Sequence, residues 1–111
     1  MSDPPLLDTA VLDDLIAHIG ADSARSIVDL FIVECRGLAA NMGAADPDAT
    51  RRAAHSLKSS AGQLGAMALS EAALAVESAA ENGAATLSRL VAGLLDCAAR
   101  TETALTARLA G

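Results

Sequence analysis

Turn signals cut this chain into five segments, and every segment carries its apolar residues at helical spacing. The breaks are Gly20, the run from Gly43 to Asp46-Pro47, the pair Gly62 and Gly65, and Asn82-Gly83. Glycine opens backbone conformations closed to other residues, and Asn-Gly favours a tight turn. Asp46 followed by Pro47 is a helix start, with aspartate as N-cap and proline at the first helical position. Asp8 predicts a first helix ended by Gly20 in a left-handed conformation. Asp22 predicts the cap of a second helix to about Met42, and later helices are expected over 66–81 and 85–109. Inner faces follow from the periodicity. They are Leu12, Leu15, Ile16 and Ile19, then Ile27, Phe31, Leu38 and Met42, then Leu69, Ala73, Val76 and Ala80, and finally Leu87, Leu90, Val91, Leu94, Ala98, Thr101 and Leu105.

No stretch alternates as a strand would. Alanine and leucine dominate, β-branched residues are few, and Phe31 is the one aromatic. That composition favours helices packed closely. At 111 residues the chain can bury one core. The expected fold is all-α: an antiparallel up-down four-helix bundle built from the second to fifth helices, with an additional short N-terminal helix. Met1–Leu7, broken by Pro4-Pro5, is expected to be a loose lead-in to a single domain over 8–111.

A formal charge of −6, with no basic cluster and no aromatic ladder, argues against nucleic acid as a partner. No segment approaches the ~20 apolar residues of a membrane span, and the start lacks a signal-peptide pattern. A soluble, cytoplasmic monomer is expected. Cys35 and Cys97 fall in apolar helical phases without CxxC or histidine company, so they read as buried free thiols and no metal site is predicted.

The third helix carries the chemistry. With Leu57 at the centre of its buried face, Thr50, Ala53, Ala61 and Leu64 fall within roughly 40° of it. His55 falls about 160° away, on the solvent side. Thr50, the polar member of the inner face, is expected to bond a carbonyl one turn earlier. Phase alone leaves His55 an ordinary surface histidine, as His18 is read. Its neighbours add more. Lys58, the chain's single lysine, shares its face three residues on. Ser59 and Gly62 keep the surface beside the ring low, although both are poor helix formers. A neutral imidazole is a nucleophile near pH 7, and an ammonium beside it offsets phosphoryl charge.

Ala54-His55-Ser56-Leu57-Lys58-Ser59-Ser60, then Leu64-Gly65-Ala66, Leu69 and Val76-Glu77, resembles the signature of histidine-containing phosphotransfer (HPt) domains. Those read A-H-x-L-K-G-S-[SA], then L-G-A, a leucine, a small or cysteine residue, and L-E. Ser59 stands where the family usually has glycine, Ala73 where cysteine is common and Val76 where leucine is common. The resemblance implies a phosphorelay intermediate. His55 would take a phosphoryl group from a receiver-domain aspartate of a hybrid histidine kinase and pass it to a response-regulator aspartate. The receiver would supply magnesium, and the chain itself would need no cofactor and have no autokinase activity.

In this reading Nε2 of His55 attacks, Lys58 steadies phosphoryl charge and Gln63 offers a hydrogen bond. No carboxylate cluster is expected around His55. The receiver-docking surface is expected at Val11, Ile32, Arg51, Ser59 and Gly62. One alternative is a helical module that binds a receiver or kinase without carrying phosphate. Another is the dimerisation helix pair of a sensor kinase, but that type places an acidic residue after the histidine, where this chain has Ser56.

Overall fold

A computed structural model describes residues 4–43 and 45–110. They form five helices: α1 Thr9–Ile19, α2 Ala21–Ala40, α3 Pro47–Gln63, α4 Met67–Glu81 and α5 Leu87–Leu109. No strand occurs among the described residues. The start signals act locally as their chemistry dictates. Asp8 accepts from the amide of Ala10, and Asp46 accepts from Ala49 at 3.1 Å with Pro47 in the first turn. Each such cap is worth about 1 kcal/mol.

Asp22 does not cap α2. Gly20 alone separates α1 from α2, with φ 88° and ψ 159°. This is extended backbone at positive φ, which essentially only glycine adopts, and not the left-handed helical form expected. Asp22 lies inside the first turn and pairs with Arg25 at 3.1 Å. α2 also ends at Ala40, two residues short of Met42, and α5 starts at Leu87.

α3 packs chiefly on α4 and α4 on α5, while α2 touches both α3 and α5 and α1 lies on α2. The core centres on Leu12, Leu57, Leu69, Leu94 and Leu105, all fully buried. The inner stripe of α2 is rotated from the expected one. Ala24, Val28, Phe31 and Cys35 are buried, whereas Ile27 is 40% exposed. The rotation goes with α2 meeting α1 as well as α3 and α5, so that its buried stripe faces between its neighbours and not at one of them. Both thiols are buried and unbridged, as expected.

Residues 1–3 of the expected lead-in, and Gly111 at the end of the expected domain, lie outside the described residues. Residues 4–7 are not loose. Leu6 and Leu7 pack against the core, and the Pro5 carbonyl accepts from the Ala68 amide at 3.1 Å. Asp8 donates its amide to the Gly65 carbonyl at 2.7 Å. Gly65 itself has φ 76°, and a Cβ there would stand 2.7 Å from the Asp8 carbonyl oxygen. The turn between α3 and α4 therefore needs glycine at this point, for both its conformation and the close approach of the chain. Thr50 is buried as predicted, but its hydroxyl donates to the Gly43 carbonyl at 2.8 Å and accepts from the Gly43 amide at 2.9 Å. It closes the loop before α3 instead of bonding back within the helix.

Candidate functional site

The α3–α4 seam is built from small buried residues, among them Ala54, Ala61, Ala73 and Ala80. Small side chains let the two backbones approach closely. Polar side chains on the outer edge of the seam then meet across it. His55 projects from α3 with 59% of its side chain exposed. Its Nδ1 lies 2.7 Å from Oε2 of Glu77 on α4. Lys58 donates from Nζ to the other oxygen, Oε1, at 3.0 Å. Glu77 is 8% exposed, so one nearly buried carboxylate holds both the ring and the ammonium.

The Lys58 hydrogen bond, followed by the His55 hydrogen bond, holds the Glu77 carboxyl below the usual carboxylate range; burial opposes this and is outweighed. An ionised carboxylate can only accept, so Nδ1 carries the proton in this contact. In the neutral ring the free lone pair is then on Nε2, the exposed nitrogen. This agrees with Nε2, the tip of the ring, as the attacking atom. The cause of the tautomer is Glu77, a motif residue to which the sequence alone assigns no role. One carboxylate therefore does lie on His55, where no cluster was expected. A signal for it exists in the sequence. Glu77 falls four residues after Ala73, on the inner stripe of α4, and a charge on a buried stripe needs a partner.

Ser59 and Gly62 are exposed on the His55 side of α3. Arg51, one turn before the histidine, is half-buried and pairs with Asp48 at 3.5 Å. Val11 packs beside Gly65 at the α3–α4 turn. Ile32 lies elsewhere. Val28 and Asp29 before it border Thr106 and Leu109 of α5, and Arg36 one turn after it pairs with Glu102. Half-buried Ile32 thus belongs to the α5 flank of α2. The flank of α2 that borders α3 carries Leu30, Phe31 and Glu34, and Glu34 accepts from the Ser60 hydroxyl at 2.6 Å. Leu30 is 70% exposed.

Gln63 ends α3 and lines a groove with Leu15, Leu30 and Phe31. Eight residues of helix put it about 12 Å along the axis from His55. That is too far to hydrogen-bond a group held on the ring. His18 is exposed, and its Nδ1 donates to the Asp14 carbonyl of its own helix at 2.7 Å. Among the described residues no helix is long and apolar enough to cross a membrane.

The chain as a whole has relatives among known proteins. The family model for the Hpt domain matches residues 26–109, and the chain belongs to that family. Its members are phosphocarriers rather than enzymes, with a phosphotransfer role in phosphorelays and receiver domains as partners. Among solved structures, the chain is similar to histidine-containing phosphotransfer protein B (HptB) from Pseudomonas aeruginosa PAO1. The two share 25% identity and a TM-score of 0.82 over 95% of each chain. A comparison with curated proteins returns no match.

Proposed function

We propose that His55 is the phosphoacceptor of a relay that runs from the receiver domain of a hybrid histidine kinase to a response regulator. The observation that carries this is the shared grip of Glu77 on His55 Nδ1 and Lys58 Nζ. The Nε2 lone pair attacks the phosphorus of an aspartyl phosphate. The N–P bond forms, the P–O bond to the aspartate breaks, and the aspartate leaves as a carboxylate. The ring keeps its Nδ1 proton and gains positive charge, which Glu77 offsets at 2.7 Å. Lys58, already beside the ring, places its remaining N–H groups toward the phosphoryl oxygens. Onward transfer is the same exchange reversed on a second receiver.

Magnesium comes with the receiver in this reading. Glu77, the carboxylate on His55, is already engaged by two donors and is poorly placed to take a cation as well. A partner reaches the ring over Ser59 and Gly62, with Arg51 on one side, exposed Leu30 on the other and Val11 at the rim. Leu30 replaces Ile32 in that surface. The closed ring of contacts among α2, α3, α4 and α5 supports an up-down four-helix bundle with α1 added. In this reading the chain acts as a monomer in the cytoplasm.

The test is incubation with a receiver domain carrying labelled aspartyl phosphate. Acid-labile label is expected on the wild-type chain and none on His55→Gln. ATP alone is expected to leave both unlabelled. Receiver binding without any label would support the interaction-module reading instead.

A further inference from the structure

We propose that Ser59 sets which receivers exchange phosphate with His55, through a hydroxyl that a docked partner must satisfy. The inference rests on His55 being the phosphoacceptor. Ser59 lies one turn after the histidine, about 40° around the helix from it, and is exposed. The residues on either side of it in sequence are committed elsewhere. Lys58 is drawn onto α4 by Glu77 at 3.0 Å, and the Ser60 hydroxyl is given to Glu34 on α2 at 2.6 Å. The Ser70 hydroxyl is used on the Lys58 carbonyl at 3.0 Å. Among the described residues no such bond engages the Ser59 hydroxyl. Gly62, the next residue on this face, offers no side chain, and a Cβ there would meet only Ser70 Oγ at 3.7 Å.

A receiver must bring its aspartate within bonding distance of Nε2, and so it covers the surface that carries Ser59. With glycine at this position the partner would meet bare backbone. Here it meets one hydroxyl standing above that floor. On docking, the hydroxyl loses its water. A receiver with a hydrogen-bonding group opposite replaces that water; one with an apolar group leaves the hydroxyl unsatisfied. The penalty for a desolvated polar group without a partner corresponds to between about fivefold and a hundredfold in affinity. Sites that require a hydrogen bond discriminate in this way far better than apolar contact does. A hydroxyl's size alone would discriminate little, because a partner can shift around a group this small.

The experiment takes a panel of isolated receiver domains, each charged with acetyl phosphate. It measures the initial rate of label arriving on His55 in wild type, Ser59→Ala and Ser59→Gly. In wild type the best receiver is expected to exceed the median by more than tenfold. Both variants should compress that ratio severalfold, by slowing the best receiver and quickening the poor ones. Preserved ratios in both variants would overturn the proposal. So would loss of the ratio in Ser59→Gly alone, since that assigns discrimination to the Cβ and not the hydroxyl. Melting temperatures of the variants close to wild type exclude a folding effect. Absence of label from every receiver in wild type is a separate outcome: it removes the phosphoacceptor reading and this inference with it.

Discussion

His18 and His55 are both exposed, and in each Nδ1 lies 2.7 Å from an oxygen acceptor. Both rings therefore present the same tautomer, with Nε2 outward. What differs is the acceptor. His18 leans on a neutral carbonyl of its own helix, four residues back. His55 leans on a carboxylate from another helix, 22 residues away in the chain, which is shared with a lysine. An orienting hydrogen bond is therefore too common to mark a reactive histidine. A nearly buried charge, fixed by a second helix and balanced by a cation, is what singles out His55. That arrangement can counter positive charge gained by the ring without reorganising.

The widest gap between the two rings should be all or nothing. His55→Gln is expected to abolish labelling by a phosphorylated receiver and His18→Gln to leave its rate unchanged; label retained in the first would end the distinction. Next comes the anchor. Glu77→Gln keeps an oxygen acceptor for Nδ1 but loses the charge, and should slow transfer about 100-fold, the lower end of the scale of a lost preorganised electrostatic contact. Glu77→Ala should be slower still. It should also destabilise the fold by roughly 1–3 kcal/mol, because it leaves Lys58 half-buried and unpaired. Asp14→Ala should alter neither ring's behaviour, since His18 uses a backbone carbonyl. An unaltered transfer rate in Glu77→Gln would reduce His55 to the status of His18.

Acid stability offers a finer separation. Glu77 is held below its ordinary range in the folded chain, with Lys58 the larger cause. Its contribution to stability is therefore complete above the unfolded glutamate value of about 4.3 and disappears as pH falls through the lower folded value. Denaturant titrations of wild type and Glu77→Gln should differ most near neutrality and converge in that acid window. A constant difference across pH would contradict the link. The smallest effect is expected at Arg51. Its partner Asp48 is 65% exposed and 3.5 Å away. Exposed pairs contribute about 0–1 kcal/mol, so Arg51→Ala should change melting little and transfer by about twofold.

The third helix was the most legible part of the chain. Asp46-Pro47 marks its start, the glycines mark its end, and one helical wheel separates Leu57 from His55. A single helix's phase says which side faces inward but not which neighbour it meets. For that reason Ile32 was set beside the site although it faces α5, and Ile27 was placed in the core where Val28 belongs. The same limit hid Glu77's role, because its contact depends on how α3 and α4 align. Thr50 was placed inside by phase correctly, yet its partner Gly43 sits in a loop that periodicity does not describe. Gln63 fails on distance, a quantity that motif spacing alone does not supply.

The strap formed by Pro5 and Asp8 on Ala68 and Gly65 has a kinetic consequence. It closes a loop of some sixty residues, whereas α3 and α4 are joined by a three-residue turn. Short loops close at lower entropic cost and generally sooner. The hairpin that brings Glu77 to His55 should accordingly assemble before the beginning of the chain is fastened over its bend. Pulse-labelled hydrogen exchange during refolding would contradict this if the Asp8 and Ala68 amides were protected no later than those within α3 and α4.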